Sequence, residues 1–172
     1  ALLEVVAGEL LLEALDAAEG VDAIELNISC PNVEGGDLPF GRDPQVVHRL
    51  VSDVRTATRL PVITKLSPNV SDIAAIARAA QEAGSDAVSL INTLRAVAFD
   101  PVSGDRALGA GSGGLSGPAV RPVAVAMTAA VCEAVELPVV GMGGIGTGAD
   151  ALEFIDAGAA CVAVALALAA TP

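Results

Sequence analysis

A regular alternation constrains this chain more than any other feature. Five short apolar runs, each at strand length, are separated by segments with helical spacing. The runs are Val21–Asn27, Pro61–Lys65, Asp86–Asn92, Leu137–Met142 and Ala160–Ala165. Each is too short for a buried helix, which leaves buried strand as the reading. Between them, Asp43-Pro44 supplies an N-cap and a first helical residue. The apolar residues Val46, Val47, Leu50, Val51 and Val54 then follow i, i+3/4 spacing, and this helix ends near Arg59. Ser71–Ala83 reads as helix with Asp72 in its first turn and Gly84 just past its end, and Pro118–Val135 as another. Thr147-Gly-Ala-Asp150 is a capping box that opens a helix stopping at Gly158. Leu2–Glu19, rich in Ala, Leu and Glu and followed by Gly20, is expected to be the first helix.

Strands this apolar are expected to be buried on both faces, and short βα connections force parallel pairing with right-handed crossovers. The class is therefore α/β, in one domain over residues 1–172, with no sharp repeat, linker or low-complexity segment. Two architectures satisfy this pattern, a doubly wound open sheet and a (β/α)8 barrel.

Composition removes several functions. At 53% hydrophobic residues the chain is too apolar for intrinsic disorder. Nine basic against 21 acidic residues, a net charge of -12, leave no electrostatic footprint for nucleic acid or anionic lipid. The longest apolar run, Cys161–Ala170, is half the roughly 20 residues that a membrane span needs. No charged region followed by an apolar one opens the chain, so no signal peptide is expected. Cys30, Cys132 and Cys161 have unrelated spacings, which predicts no disulfide framework, no metal site and a reducing, cytoplasmic setting.

In both architectures function collects beyond the carboxyl ends of the strands. Those ends are polar here. The first run passes from Glu25-Leu-Asn27 into Ile-Ser-Cys30-Pro-Asn32, and the second ends Thr64-Lys65-Leu-Ser-Pro-Asn69. The third ends Asn92-Thr93, and the fourth ends Gly141-Met-Gly143-Gly144-Ile-Gly146. Such convergence marks a site, because apolar strands gain nothing structurally from ending this way. Cys132 and Cys161 read as small buried hydrophobes, whereas Cys30 sits among polar residues in a loop and is a candidate proton acceptor. The single histidine, His48, falls on the polar side of its helix, so Cys–His nucleophilic chemistry is not expected. Lys65 is the only lysine among nine basic residues. A compact ammonium at a strand end suits a Schiff base or a fixed charge beside an anionic cofactor. Gly141–Gly146 spells G-x-G-x-x-G, yet no acidic residue closes the next strand as a dinucleotide site requires. A glycine-lined phosphate site ahead of a helix N-terminus is the better expectation. Phe99–Gly117, glycine-rich from Gly109 onward, is expected to be a long functional loop.

Taken together, the rim resembles the dihydroorotate dehydrogenase family. The matching stretches are Glu25-Leu-Asn-Ile-Ser-Cys-Pro-Asn-Val33, Lys65-Leu-Ser-Pro-Asn-Val70, Ile91-Asn-Thr93, Gly113-Gly-Leu-Ser-Gly-Pro118 and Gly141-Met-Gly-Gly-Ile145. The Cys in Ser-Cys-Pro-Asn is similar to class 1, since class 2 carries Ser there. Gly35-Gly36 and Phe40-Gly41 resemble the 1B subgroup. The resemblance implies a (β/α)8 TIM barrel holding FMN at the carboxyl ends of its strands. It also implies oxidation of dihydroorotate to orotate in de novo pyrimidine (UMP) biosynthesis. Carried over by position, Cys30 is the base that removes the C5 proton, and Asn27, Asn32, Asn92 and Thr93 hold the pyrimidine. Asn27, Lys65, Ile91, Thr93, Gly117, Met142, Gly143 and Gly144 would line FMN, with Lys65 beside the ring. Ala165-Leu166 fall where the family's last strand ends in Gly-Thr against the FMN phosphate, and Leu offers no hydroxyl. The 1B subgroup further implies a partner subunit with FAD and a [2Fe-2S] cluster passing electrons to NAD, in a homodimer or heterotetramer.

A barrel takes about 250 residues, so the chain is expected to be a carboxyl-terminal portion carrying strands four to eight. By itself it is expected to be inactive. Two other functions stay open: a related flavin oxidoreductase acting on another dihydropyrimidine, and a degenerate barrel fragment serving as a non-catalytic scaffold.

Overall fold

The structure, a computed structural model, describes residues 2–5, 14–29, 40–109 and 111–164. Six strands form one sheet: β1 (Leu2–Val5), β2 (Ala23–Asn27), β3 (Val62–Lys65), β4 (Ala87–Leu90), β7 (Val139–Met142) and β8 (Cys161–Ala163). They lie in that order, and every pair is parallel. Strands β5 (Leu94–Ala96) and β6 (Gly113–Leu115) form a separate antiparallel hairpin. Helices α1 (Pro44–Ala57), α2 (Ile73–Glu82), α3 (Arg121–Cys132) and α4 (Gly148–Asp156) fill the crossovers, and each packs on the next.

The expected strands are present, each trimmed by one to three residues at its ends. The helix starts follow the capping chemistry. The Asp43 side chain accepts from the Gln45 N–H at the start of α1, with Pro44 as first helical residue. Asp72 is the N-cap of α2, accepting from Ala75 N–H, rather than a first-turn residue. Thr147 and Asp150 form a reciprocal capping box on α4. Pro118–Val120 make a 3-10 turn before α3, so the helix read from Pro118 begins at Arg121 and stops at Cys132.

Four expectations are corrected. Leu2–Val5 is strand, not helix, paired in register with β2 from Leu2 opposite Ala23 to Val5 opposite Leu26. A short apolar run has no helical or strand preference of its own, and an available parallel edge decides for strand. The sheet therefore has six strands where the pattern predicts five. The segment from Leu94 to Leu115 is also not an irregular loop. It is a hairpin extended by a Phe99–Arg106 bridge, with Asp100 accepting from the Val102 and Ser103 N–H groups to close its turn.

The remaining two corrections concern burial. Ile24, Leu26, Val62, Thr64, Val88, Leu90 and Val139 point under the helices and form the core with Val47, Val51, Val54, Ile76, Val131 and Phe154. Their strand neighbours Asn27, Ile63, Lys65, Val140 and Met142 occupy the opposite face, which is free of helices among the described residues, and are only half-buried. Burial on both faces holds for β4, all of whose residues are buried, and not for β3, β7 and β8. For the same reason Cys161 is exposed: it alternates with Val162, which packs on the core, and it lies on the edge strand β8. Cys132, at the end of α3, is half-buried where full burial is expected, and burial pushes its thiol up from the ordinary value.

Candidate active site

The parallel register delivers the polar residues to one face and one end of the sheet. Glu25 and Asn27 share a face because they are two apart on β2. Asn27 stands opposite Lys65 on β3, and Lys65 opposite Ser89 on β4. Ser89 stands in turn opposite Val140 on β7, two residues before Met142.

A chain of amides and hydroxyls crosses the strand ends. The Ser29 N–H donates to Asn27 Oδ1 at 3.1 Å, and the Ser29 hydroxyl donates to the same oxygen. Asn92 Nδ2 donates to Ser29 Oγ, and Asn92 Oδ1 accepts from the Thr93 N–H at 2.8 Å. Asn27 and Asn92 are thus held in one array although they lie on different crossovers. Beyond it, Asn69 clamps the root of the hairpin. Its Nδ2 donates to the Thr93 carbonyl at 3.0 Å, and its Oδ1 accepts from Arg95 N–H at 2.9 Å.

The β7 end joins the same rim. Ile91 N–H donates to the Met142 carbonyl at 3.0 Å, which continues the β4–β7 ladder one step past Leu90. Gly143 and Gly144 follow with φ of +119° and +75°, conformations that L side chains rarely adopt. A Cβ on Gly144 would lie 2.7 Å from the Gly117 carbonyl oxygen and 2.9 Å from Arg121 N. The Gly143-Gly144 turn and the Gly117 turn are therefore pressed backbone to backbone.

Arg121 braces this contact. Its Nη1 pairs with Asp150 Oδ1, and its Nε lies 3.3 Å from Glu153 Oε2. Asp150 Oδ2 accepts from Gly146 N–H at 3.0 Å and Thr147 N–H at 2.8 Å. These bonds, that from Gly146 first, hold its carboxyl below the ordinary range. Asp150 therefore takes the amides of Gly146 and Thr147 at the α4 N-terminus. The rim also offers the bare backbone at Gly143-Gly144. Gly141 has a third role. Its Cβ would fall 2.5 Å from Phe154 Cδ1, so this glycine lets α4 pack on β7. The G-x-G-x-x-G spelling thus joins glycines that serve different purposes.

Of the residues singled out by sequence, Asn27, Asn92 and Lys65 form one group. Ile91, Met142, Gly143, Gly144 and Gly117 form a second, and Asn92 and Thr93 join the two along the chain. Cys30, Asn32, Gly35, Gly36, Ala165 and Leu166 lie outside the described residues. Gly41 packs just past the end of β2, where a Cβ on it would meet the Ile28 carbonyl oxygen at 2.7 Å. Sequence reading missed Glu25, Ser29, Asn69 and Ser89. The available signal was position: Glu25 is a carboxylate inside a strand, two residues before Asn27. Among the described residues no group of three His, Cys, Asp or Glu could hold a metal ion, and no helix is long and apolar enough to cross a membrane.

A parallel α/β sheet with amides, one ammonium and bare glycine backbone gathered at its strand ends defines a class of small-molecule site. The family follows from comparison with known proteins. The dihydroorotate dehydrogenase pattern matches residues 10–171, and the chain belongs to that family. It is 58% identical over 153 residues to the dihydroorotate dehydrogenase B (NAD(+)) catalytic subunit of Desulforudis audaxviator, covering 89% of this chain and 50% of that protein. The subunits of the same name from Malacoplasma penetrans and Geobacter sulfurreducens are 50% and 52% identical, over 89% and 91% of this chain. The chain spans about half the length of these relatives.

Proposed function

We propose that this chain forms part of the active site of an FMN-dependent dihydroorotate dehydrogenase of class 1B, built on a (β/α)8 barrel and acting in pyrimidine biosynthesis. The observation that carries the reading is the array Asn27–Ser29–Asn92 beside Lys65. A carboxamide donates and accepts at once, which is what the alternating N–H and C=O groups of a dihydropyrimidine ring require. Ser29 sets the orientation of both amides. Met142, Gly143 and Gly144 leave backbone open to an extended polar chain, and Lys65 offers the compact cation that suits a ring able to carry negative charge. This donor set fits FMN, whose chemistry when bound is to accept a hydride from the substrate.

In this reading Cys30 takes the proton from C5 of dihydroorotate, while Asn27, Asn32, Asn92 and Thr93 hold the pyrimidine in place. The assignment of Cys30 follows the family resemblance, and the sole histidine, His48, is exposed on α1. The relatives' name, a catalytic subunit linked to NAD(+), supports a second, electron-transferring subunit with FAD and a [2Fe-2S] cluster. The unrelated spacings of Cys30, Cys132 and Cys161 support a reducing, cytoplasmic setting. Titration of the protein with FMN, followed by quenching of flavin fluorescence, tests the reading. Saturable quenching that Gly144→Ala weakens is expected, and an absence of quenching in the unaltered protein would overturn it.

A further inference from the structure

We infer that Glu25 is a positioning residue for Lys65, fixing where the chain's single lysine ammonium stands and offsetting its charge. The inference rests on the proposed flavin site and adds to it a residue that does not itself reach the rim. Glu25 and Lys65 are diagonal neighbours on the face opposite the helices: Glu25 faces Ile63, and Lys65 is two residues further along β3. Lys65 Nζ lies 3.9 Å from Glu25 Oε2, with side-chain exposures of only 15% and 10%. Ser89, fully buried on β4, donates its hydroxyl to the other carboxylate oxygen, Glu25 Oε1. Three adjacent strands thus contribute a hydroxyl, a carboxylate and an ammonium in a row.

Elementary electrostatics gives the row its logic. A carboxylate this buried is costly unless both oxygens are engaged, and here Ser89 and Lys65 engage them. The lysine stem has four rotatable carbons, so an ammonium at a strand end without an anchor would sweep a wide arc. The pair with Glu25 holds the ammonium at the sheet surface on the Asn27 side, where Asn27 is its register partner. It also leaves the local net charge near zero. Replacing Glu25 by Gln keeps the shape and removes the anion. Lys65 then loses the anion that offsets its charge, which favours an anionic ligand beside it.

Because Lys65 is the only lysine, an amine-acylating reagent labels only this residue and the chain's α-amino group. Cleavage at arginine then reports Lys65 in the single peptide Leu60–Arg78. Slow labelling is expected in the unaltered chain, with several-fold faster labelling in Glu25→Gln and an intermediate rate in Ser89→Ala. Half-buried Cys132, probed with a thiol reagent, should react at an unchanged rate in both variants and so separates a local effect from general loosening. Unchanged Lys65 labelling in Glu25→Gln, or a parallel rise at Cys132 in both variants, would overturn the inference. A second readout is the potential of bound FMN, expected to shift upward in Glu25→Gln; a downward shift or none would count against the role. Failure of the unaltered protein to bind FMN would sink the flavin reading alone, since the labelling result is independent of it.

Discussion

Gly141 and Phe154 allow a sharp test of how β7 and α4 support the rim. Phe154 is fully buried, and a Cβ at Gly141 would stand 2.5 Å from its Cδ1 and 3.1 Å from its Cβ and Cγ. Carbon atoms in good contact stand about 3.5–4.0 Å apart, so the ring must retreat by roughly 1 Å into a packed core. Overpacking of this kind costs about 1–3 kcal/mol. Gly141 is not among the residues of positive φ, so Gly141→Ala carries no left-handed backbone penalty and the cost is steric. Phe154→Ala alone should cost about 3–5 kcal/mol through the cavity it leaves. In that background the new methyl at position 141 meets empty space, and its cost should vanish or reverse. The two substitutions should therefore couple by about 1–3 kcal/mol, well beyond the few tenths seen for independent sites. Urea denaturation of the two single variants and the double variant measures this directly. An equal cost for Gly141→Ala in both backgrounds would refute the packing role and return Gly141 to the ligand-binding glycines.

Three further outcomes are expected. Gly41→Ala, which forces a Cβ against the Ile28 carbonyl, should lower stability by about 1–3 kcal/mol in urea denaturation. Gly109→Ala, where nothing lies within 4 Å, should stay within about 0.5 kcal/mol. Stability should also fall in acid. Hydrogen bonds from Thr58 to Asp16 and from Gly146 to Asp150 are the leading causes that hold these carboxyls below the ordinary carboxylate value. Their contribution is complete above that ordinary value and is lost as pH falls through the lowered one. Asp16→Asn and Asp150→Asn should each flatten the acid limb of a melting-temperature profile, and an unchanged slope would remove these groups from the account.

What could be read in the sequence was what local chemistry decides. The capping residues Asp43, Thr147 and Asp150 announce their helices because a side chain satisfies amides only a few positions away. Lys65, Asn27 and Asn92 stand out because polar groups end apolar strands. What escaped depends on register. The Glu25–Lys65–Ser89 row exists only once β2, β3 and β4 are aligned, and a slip of one residue would send Glu25 to the helix side. Leu2–Val5 becomes strand through a partner some twenty residues away, which no local propensity reports. Glycines of one motif likewise divide by their surroundings. Gly144 avoids a backbone collision at Gly117, while Gly141 makes room for Phe154.

The central claim is that the rim holds a flavin beside a dihydropyrimidine whose proton goes to Cys30. Its most direct test is an anaerobic mixture of dihydroorotate with the complete FMN-loaded enzyme of which this chain forms part, watched in the visible flavin band. Rapid bleaching with formation of orotate is expected, slowed severely in Cys30→Ser and retained at a reduced rate in Ser29→Ala. Bleaching at an undiminished rate in Cys30→Ser, or bleaching only with a different dihydropyrimidine, would contradict the claim.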